Sequence, residues 1–196
     1  MEFNEVVRRR RMVRQYLPDR PVAPEVVDQI VDTMLRAPSA GFSQGTSLLV
    51  LDTPDDLERF RISVTPDVDK ENWLAANVEA PLLIVVLSHK DAYLDRYARP
   101  DKGFTDRSDE WWTAPYWDID AGMSALLGLL AAVDNGLSAC FFGMEKGCVP
   151  KFLEAFGVPE GRWPIGIVSV GYSTEPPRDL SGHRKSTAET VHRHRW

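Results

Sequence analysis

The chain has 196 residues, of which 43% are hydrophobic, 27% charged and 10% aromatic. That balance excludes disorder and supplies enough apolar surface for a sizeable core. A net charge of -6 excludes a global basic field for nucleic acid, and two cysteines exclude a disulfide scaffold or a four-thiolate zinc site.

No repeat, low-complexity tract or linker interrupts the sequence, so residues 1–196 read as a single domain. Residues 2–10 form a short first helix. A stronger one covers 24–36, where Pro24 suits the first turn and Val26, Val27, Ile30, Val31, Met34 and Leu35 recur at helical spacing. It stops before Pro38, because the residue ahead of a proline disfavours the α region. Residues 46–51 are a short apolar strand, and 55–61 and 70–79 are short helices. Residues 81–87, PLLIVVL, are apolar at every position and read as a central strand covered on both faces.

Residues 88–117 are polar, aromatic and turn-rich, and read as a long surface excursion. A helix over 119–135 is apolar almost all round and therefore buried on most sides, with Asp118 and Asp120 as candidate caps and Asn135-Gly136 as its end. A strand at 138–143, a helix at 150–156 and a strand at 164–172 follow. The tail, 173–196, is polar and basic, with weak strand character at 190–192, and needs another surface to pack on, for example a second subunit. The class is α+β or α/β, with too few strands for an eightfold barrel. No apolar run approaches the roughly 20 residues of a membrane span. The start, MEFNEVVRRRR, puts charge where a secretory signal is apolar, so a soluble cytoplasmic protein is expected.

Four features carry candidate chemistry. The cluster Arg8, Arg9, Arg10, Arg11 and Arg14 offers forked donors that match phosphate oxygens, or is a solvated basic helix end. The stretch APSAGFSQG, from Ala37 to Gly45, is rich in small and polar residues. It suits either close backbone approach to a polar ring edge or a plain connection. Arg184 and Lys185 in the tail are phosphate-competent or merely solvated. Trp111, Trp112, Tyr116 and Trp117 roof a flat ligand or anchor the excursion. No dinucleotide fingerprint or P-loop is present, and His183, His192 and His194 lack metal-ligand partners at a recognisable spacing.

Together these pieces resemble the FMN-dependent nitroreductase family. The resemblance rests on Arg10-Arg11-Met12-Val13-Arg14-Gln15-Tyr16, on Ala37-Pro38-Ser39-Ala40-Gly41-Phe42-Ser43-Gln44-Gly45, on AVDNGLSACFFG at 132–143, and on the strand ending Gly171-Tyr172. It implies an α+β fold with a central mixed or antiparallel sheet flanked by helices, and a homodimer whose C-terminal tails pack on the partner. It further implies FMN as cofactor, with Arg10, Arg11, Met12, Arg14, Arg184 and Lys185 at the phosphate. Pro38, Ser39, Ala40, Ser43 and Gln44 would lie at the ring, and Phe142, Gly143 and Met144 near the flavin N5. The implied reaction is ping-pong transfer from NAD(P)H to a nitroaromatic, quinone or similar small aromatic acceptor. It needs no acid or base side chain and no metal. The departures are Met12 for a serine, Phe42 for an asparagine and Gly45 for a proline. They leave two alternatives: a flavin-binding protein without catalysis, or oxidative cleavage of reduced FMN as in the branch that makes the cobalamin lower ligand.

Overall fold

The computed structural model describes residues 1–65, 79–104, 106–176 and 181–196. Four strands form one sheet in the order β1-β2-β4-β3: β1 is Thr46–Leu51, β2 Leu82–His89, β3 Ser138–Phe142 and β4 Arg162–Gly171. All three pairings are antiparallel. A parallel bridge between Met12 and Ala139 extends the sheet beyond β3.

The apolar run in β2 is explained by a helical layer on each face. Side chains alternate along a strand, so Leu83, Val85 and Leu87 face one core and Leu82, Ile84 and Val86 the other. The first core holds Phe60 of α3 (Pro54–Val64) against Phe152 of α6 (Val149–Ala155), edge to face at 6.0 Å. The second holds Ile30 and Met34 of α2 (Pro24–Leu35) against Ala121, Ala125 and Leu129 of α5 (Tyr116–Asp134). The close approach of α2 and α5 requires Gly128, where a Cβ would stand 2.8 Å from the Met34 sulfur. The short α1 (Phe3–Arg9) buries Val6.

Three expectations are corrected. The excursion at 88–117 is not loop throughout: β2 runs on to His89, and α4 (Lys90–Tyr97) follows directly, burying Tyr93 and Leu94. The strand expected at 190–192 is instead helical at its start, in α7 (Thr187–Thr190), because Ser186 and Glu189 form a reciprocal capping box. Asp118 and Asp120 do not cap α5, whose N-cap is Pro115. Asp118 accepts a hydrogen bond from the Ser88 hydroxyl at 2.7 Å, and Asp120 is buried within the second turn. The helix expected at 70–79 lies outside the described residues except for Glu79.

α5 is long and apolar enough by composition to cross a membrane, but half of it is buried inside this chain. Its remaining apolar side is exposed: Ile119, Met123 and Leu126 recur at positions i, i+4 and i+7.

Candidate functional site

The arginine segment is held beside β3 by the backbone. Val13 donates its N–H to Ala139 O at 3.0 Å, and the Phe141 N–H points at the Met12 sulfur at 3.4 Å. Buried Tyr16 closes the turn, donating to Val13 O at 2.6 Å and lying 2.8 Å from the Ser169 hydroxyl. Arg10, Arg11, Met12 and Arg14 thus share one sheet edge with Phe142, Gly143 and Met144, where β3 ends. Gly143 is exposed, and a Cβ built on it meets nothing within 4 Å.

The arginines divide by role. Arg11 donates to the carbonyls of Glu175 and Pro176 and so ties down the start of the tail. The Glu175 carboxylate in turn accepts from the amides of Arg14 and Gln15, at 3.0 and 3.3 Å. The guanidiniums of Arg10 and Arg14 make no hydrogen bond or ion pair among the described residues. Burial pushes the Cys140 thiol up, and the Arg14 charge pulls against that shift while Glu175 adds to it. Arg14 therefore presents its charge close to the β3 edge.

The loop before β1 is a separate and strongly braced unit. Gly41, Phe42 and Gln44 all take positive φ, at 60, 56 and 53°. Gln44 N–H donates to Ser39 Oγ at 3.0 Å, and Ser43 Oγ donates to Ala40 O at 2.6 Å. From α4, Arg96 Nε donates to Gly41 O at 2.8 Å. From α5, Asp120 accepts the Ala40 N–H at 2.7 Å. The two glycines are required by close rings: a Cβ on Gly41 would stand 2.7 Å from Tyr97 Cε2, and one on Gly45 only 2.5 Å from Tyr93 Cε2. Proline at position 45 would meet the same Tyr93 ring, which accounts for that departure from the family pattern. This scaffold leaves Phe42 75% exposed.

Within one chain the two units are apart. The loop adjoins β1 and the arginines adjoin β3, and these are opposite edges of the sheet. Three strand spacings amount to roughly 14 Å. Pro38, Ser39, Ala40, Ser43 and Gln44 are therefore not brought to Arg10, Arg14 and Gly143 in the same protomer. Arg184 and Lys185 are exposed, in a tail that is exposed from Gly182 to Trp196.

The aromatic segment is a ring cluster. Trp112 lies 4.6–6.1 Å, centroid to centroid, from Tyr93, Tyr97, Tyr116 and Trp117. Beside it a cavity of about 360 Å³ is bounded by Ala40, Tyr97, Phe104, Trp111, Trp112 and Tyr116, among others. Trp117 takes part in the ring cluster but does not line this cavity.

Sequence reasoning missed Tyr93, Arg96 and Glu175, and took Asp120 for a helix cap where it braces the loop and Tyr93. For Asp120 the signal is its place one turn into a helix that is apolar beyond it, where a carboxylate needs partners once buried. The contacts of Arg96 with Gly41 and of Glu175 with Arg14 carry no local signal, because they span 55 residues or more in sequence.

The model of the nitroreductase family matches residues 7–172. An NADPH-dependent oxidoreductase of Staphylococcus aureus is 24% identical over 181 residues, covering 92% of this chain and 67% of that protein. The crystal structure of a nitroreductase family protein from Clostridium difficile 630 superposes with a TM-score of 0.75 at 23% identity, covering all of both chains. An FMN-dependent nitroreductase from Clostridium difficile R20291 gives 0.73 at 22% identity over 97% of this chain and 98% of its own.

Proposed function

The chain belongs to the nitroreductase family, and from that membership we propose that it is an FMN-dependent oxidoreductase of the cytoplasm, reducing nitroaromatic, quinone or similar acceptors with NAD(P)H. The observation that carries this reading is the β3 edge. Two guanidiniums without a hydrogen-bond or ion-pair partner among the described residues, Arg10 and Arg14, lie along the sheet edge formed by β3, whose next residue, Gly143, is open to solvent. That donor set fits a phosphate attached to a flat ring.

In this reading Arg10 and Arg14 bind the FMN phosphate. Arg11 stands behind them and fixes the tail through Glu175 and Pro176. Met12 sits where a hydroxyl would serve the phosphate, but its sulfur faces the Phe141 amide. The backbone after Phe142, at exposed Gly143 and half-buried Met144, would orient the ring edge with its amides, a fixed donor set that would favour the electron-rich form. FMN, when bound, would supply the ping-pong electron transfer from NAD(P)H to the acceptor.

We further propose a homodimer. The Ile119, Met123 and Leu126 stripe of α5 covers its counterpart on a second copy. The partner's loop then supplies Ser39, Ser43 and Gln44 at the ring, and Arg184 and Lys185 of a tail complete the phosphate site. The test is an FMN titration of the purified protein in parallel with riboflavin, which lacks the phosphate. FMN binding at one per chain, with riboflavin much weaker, supports the reading, and equal or no binding of the two removes it.

A further inference from the structure

We propose that the cavity beside Trp112 is a binding site for a small, flat aromatic cation. Its wall includes Ala40, of the loop that the proposed dimer brings to the flavin ring, but its ring walls and its carboxylate all come from one chain, so the site can be tested without FMN. The walls are rings: Tyr97, Phe104, Trp111, Trp112 and Tyr116. Aromatic faces carry negative quadrupole potential and attract cations within about 6 Å of the centroid. This cluster already does so on its outside, where Lys102 stands 5.1 Å from the Tyr97 centroid and Lys90 5.2 Å from that of Trp117. Neither lysine lines the cavity.

Among the described residues, Asp106 is the only charged one on the cavity wall. Four other carboxylates of the segment are paired, Asp91 and Asp95 with Arg107, Asp101 with Arg96 and Asp109 with Lys90, and Glu110 does not line the cavity. Asp106 forms no ion pair among the described residues, and its Oδ1 accepts only the Ser108 N–H at 3.2 Å. A ring box with one free carboxylate at its wall selects a ligand that is both aromatic and positive. The volume, about 360 Å³, suits one or two fused rings and not a dinucleotide. Ser108 and Thr113 add hydroxyls for a polar substituent.

The test is calorimetric titration of the purified full-length protein with three probes of one size: 1-methylquinolinium, neutral quinoline at pH 8, and 1-naphthoate. The cation should bind about tenfold tighter than quinoline, and naphthoate weakest. In Asp106→Asn the preference for the cation over quinoline should fall to about threefold or less, while quinoline binding is unchanged. In Trp111→Ala both should weaken by about tenfold. Both residues are exposed, so neither change removes buried packing. Equal affinity for all three probes, no binding of the cation, or an unchanged preference in Asp106→Asn would each overturn the proposal.

Discussion

Tyr93 and Asp120 form a buried hydrogen bond of 2.7 Å, and the same carboxylate oxygen accepts the Ala40 N–H at 2.7 Å. One carboxylate therefore joins α4, α5 and the loop before β1. Loss of that acceptor leaves two donors to be satisfied elsewhere, at about 1–3 kcal/mol for each one left buried. Asp120→Ala should destabilise the fold by about 2–4 kcal/mol, and Asp120→Asn by less, because the amide oxygen still accepts. Urea unfolding of the two variants checks the order.

The two buried tyrosines predict alkaline sensitivity. Burial pushes the Tyr93 hydroxyl well above its ordinary value, and the bond to Asp120 adds to the shift. Burial also raises Tyr16, against a smaller opposing effect of the Ser169 hydrogen bond. A raised native pKa means the folded state holds a proton that the unfolded state releases above about pH 10. Stability should therefore be flat below about pH 10 and fall above it. Tyr16→Phe and Tyr93→Phe should each reduce that slope in unfolding measured between pH 9 and 11, even where they lower stability at pH 7.

Much of the fold was legible because its signals are local. The period of Val27, Ile30 and Met34 gave α2, and the apolar run gave β2 as a covered central strand. α4 was not legible: in eight residues, KDAYLDRY, only Tyr93 and Leu94 are buried, too few to show a period. What holds it is tertiary, through Tyr93 on Asp120 and Arg96 on Gly41. The Ser186 to Glu189 capping box is readable as S-x-x-E, and the helix it starts runs into the stretch whose residue types suggest a strand. For the site, the sequence offered residue types but not their separation. That Arg14 and Ser39 occupy opposite edges of the sheet follows only from the strand order.

The division among the arginines predicts different phenotypes. A charge-assisted hydrogen bond is worth roughly 1.5–3 kcal/mol, and about 1.4 kcal/mol is tenfold in affinity. Arg14→Ala should weaken FMN binding by about ten- to a hundredfold with little change in melting temperature. Arg11→Ala should instead loosen the tail, seen as faster proteolysis after Tyr172, with a smaller effect on FMN. Reversed phenotypes would show that Arg11 is the phosphate ligand.

Phe42 is held at φ 56° and exposed. A non-glycine residue in the left-handed region costs roughly 1–2 kcal/mol, and no burial of this ring within the chain offsets that. Phe42→Gly should raise stability by up to about 1 kcal/mol, the relief being partly offset by chain entropy. A lower melting temperature would indicate that the ring is buried in the assembled protein.

The apolar stripe on α5 predicts that Leu126→Asp converts a dimer to a monomer, because two facing carboxylates at a desolvated contact are not tolerated. Light scattering after size exclusion reads this directly. A dimer of unchanged strength would assign the stripe to another surface.

The most direct measurement of the central claim is an anaerobic visible spectrum of the purified, FMN-supplemented protein. The account predicts about one flavin per chain. That flavin should bleach on addition of NADH or NADPH and recover its colour when a nitroaromatic or quinone is added. Protein that takes up no FMN, or bound FMN that neither nucleotide bleaches, would contradict it.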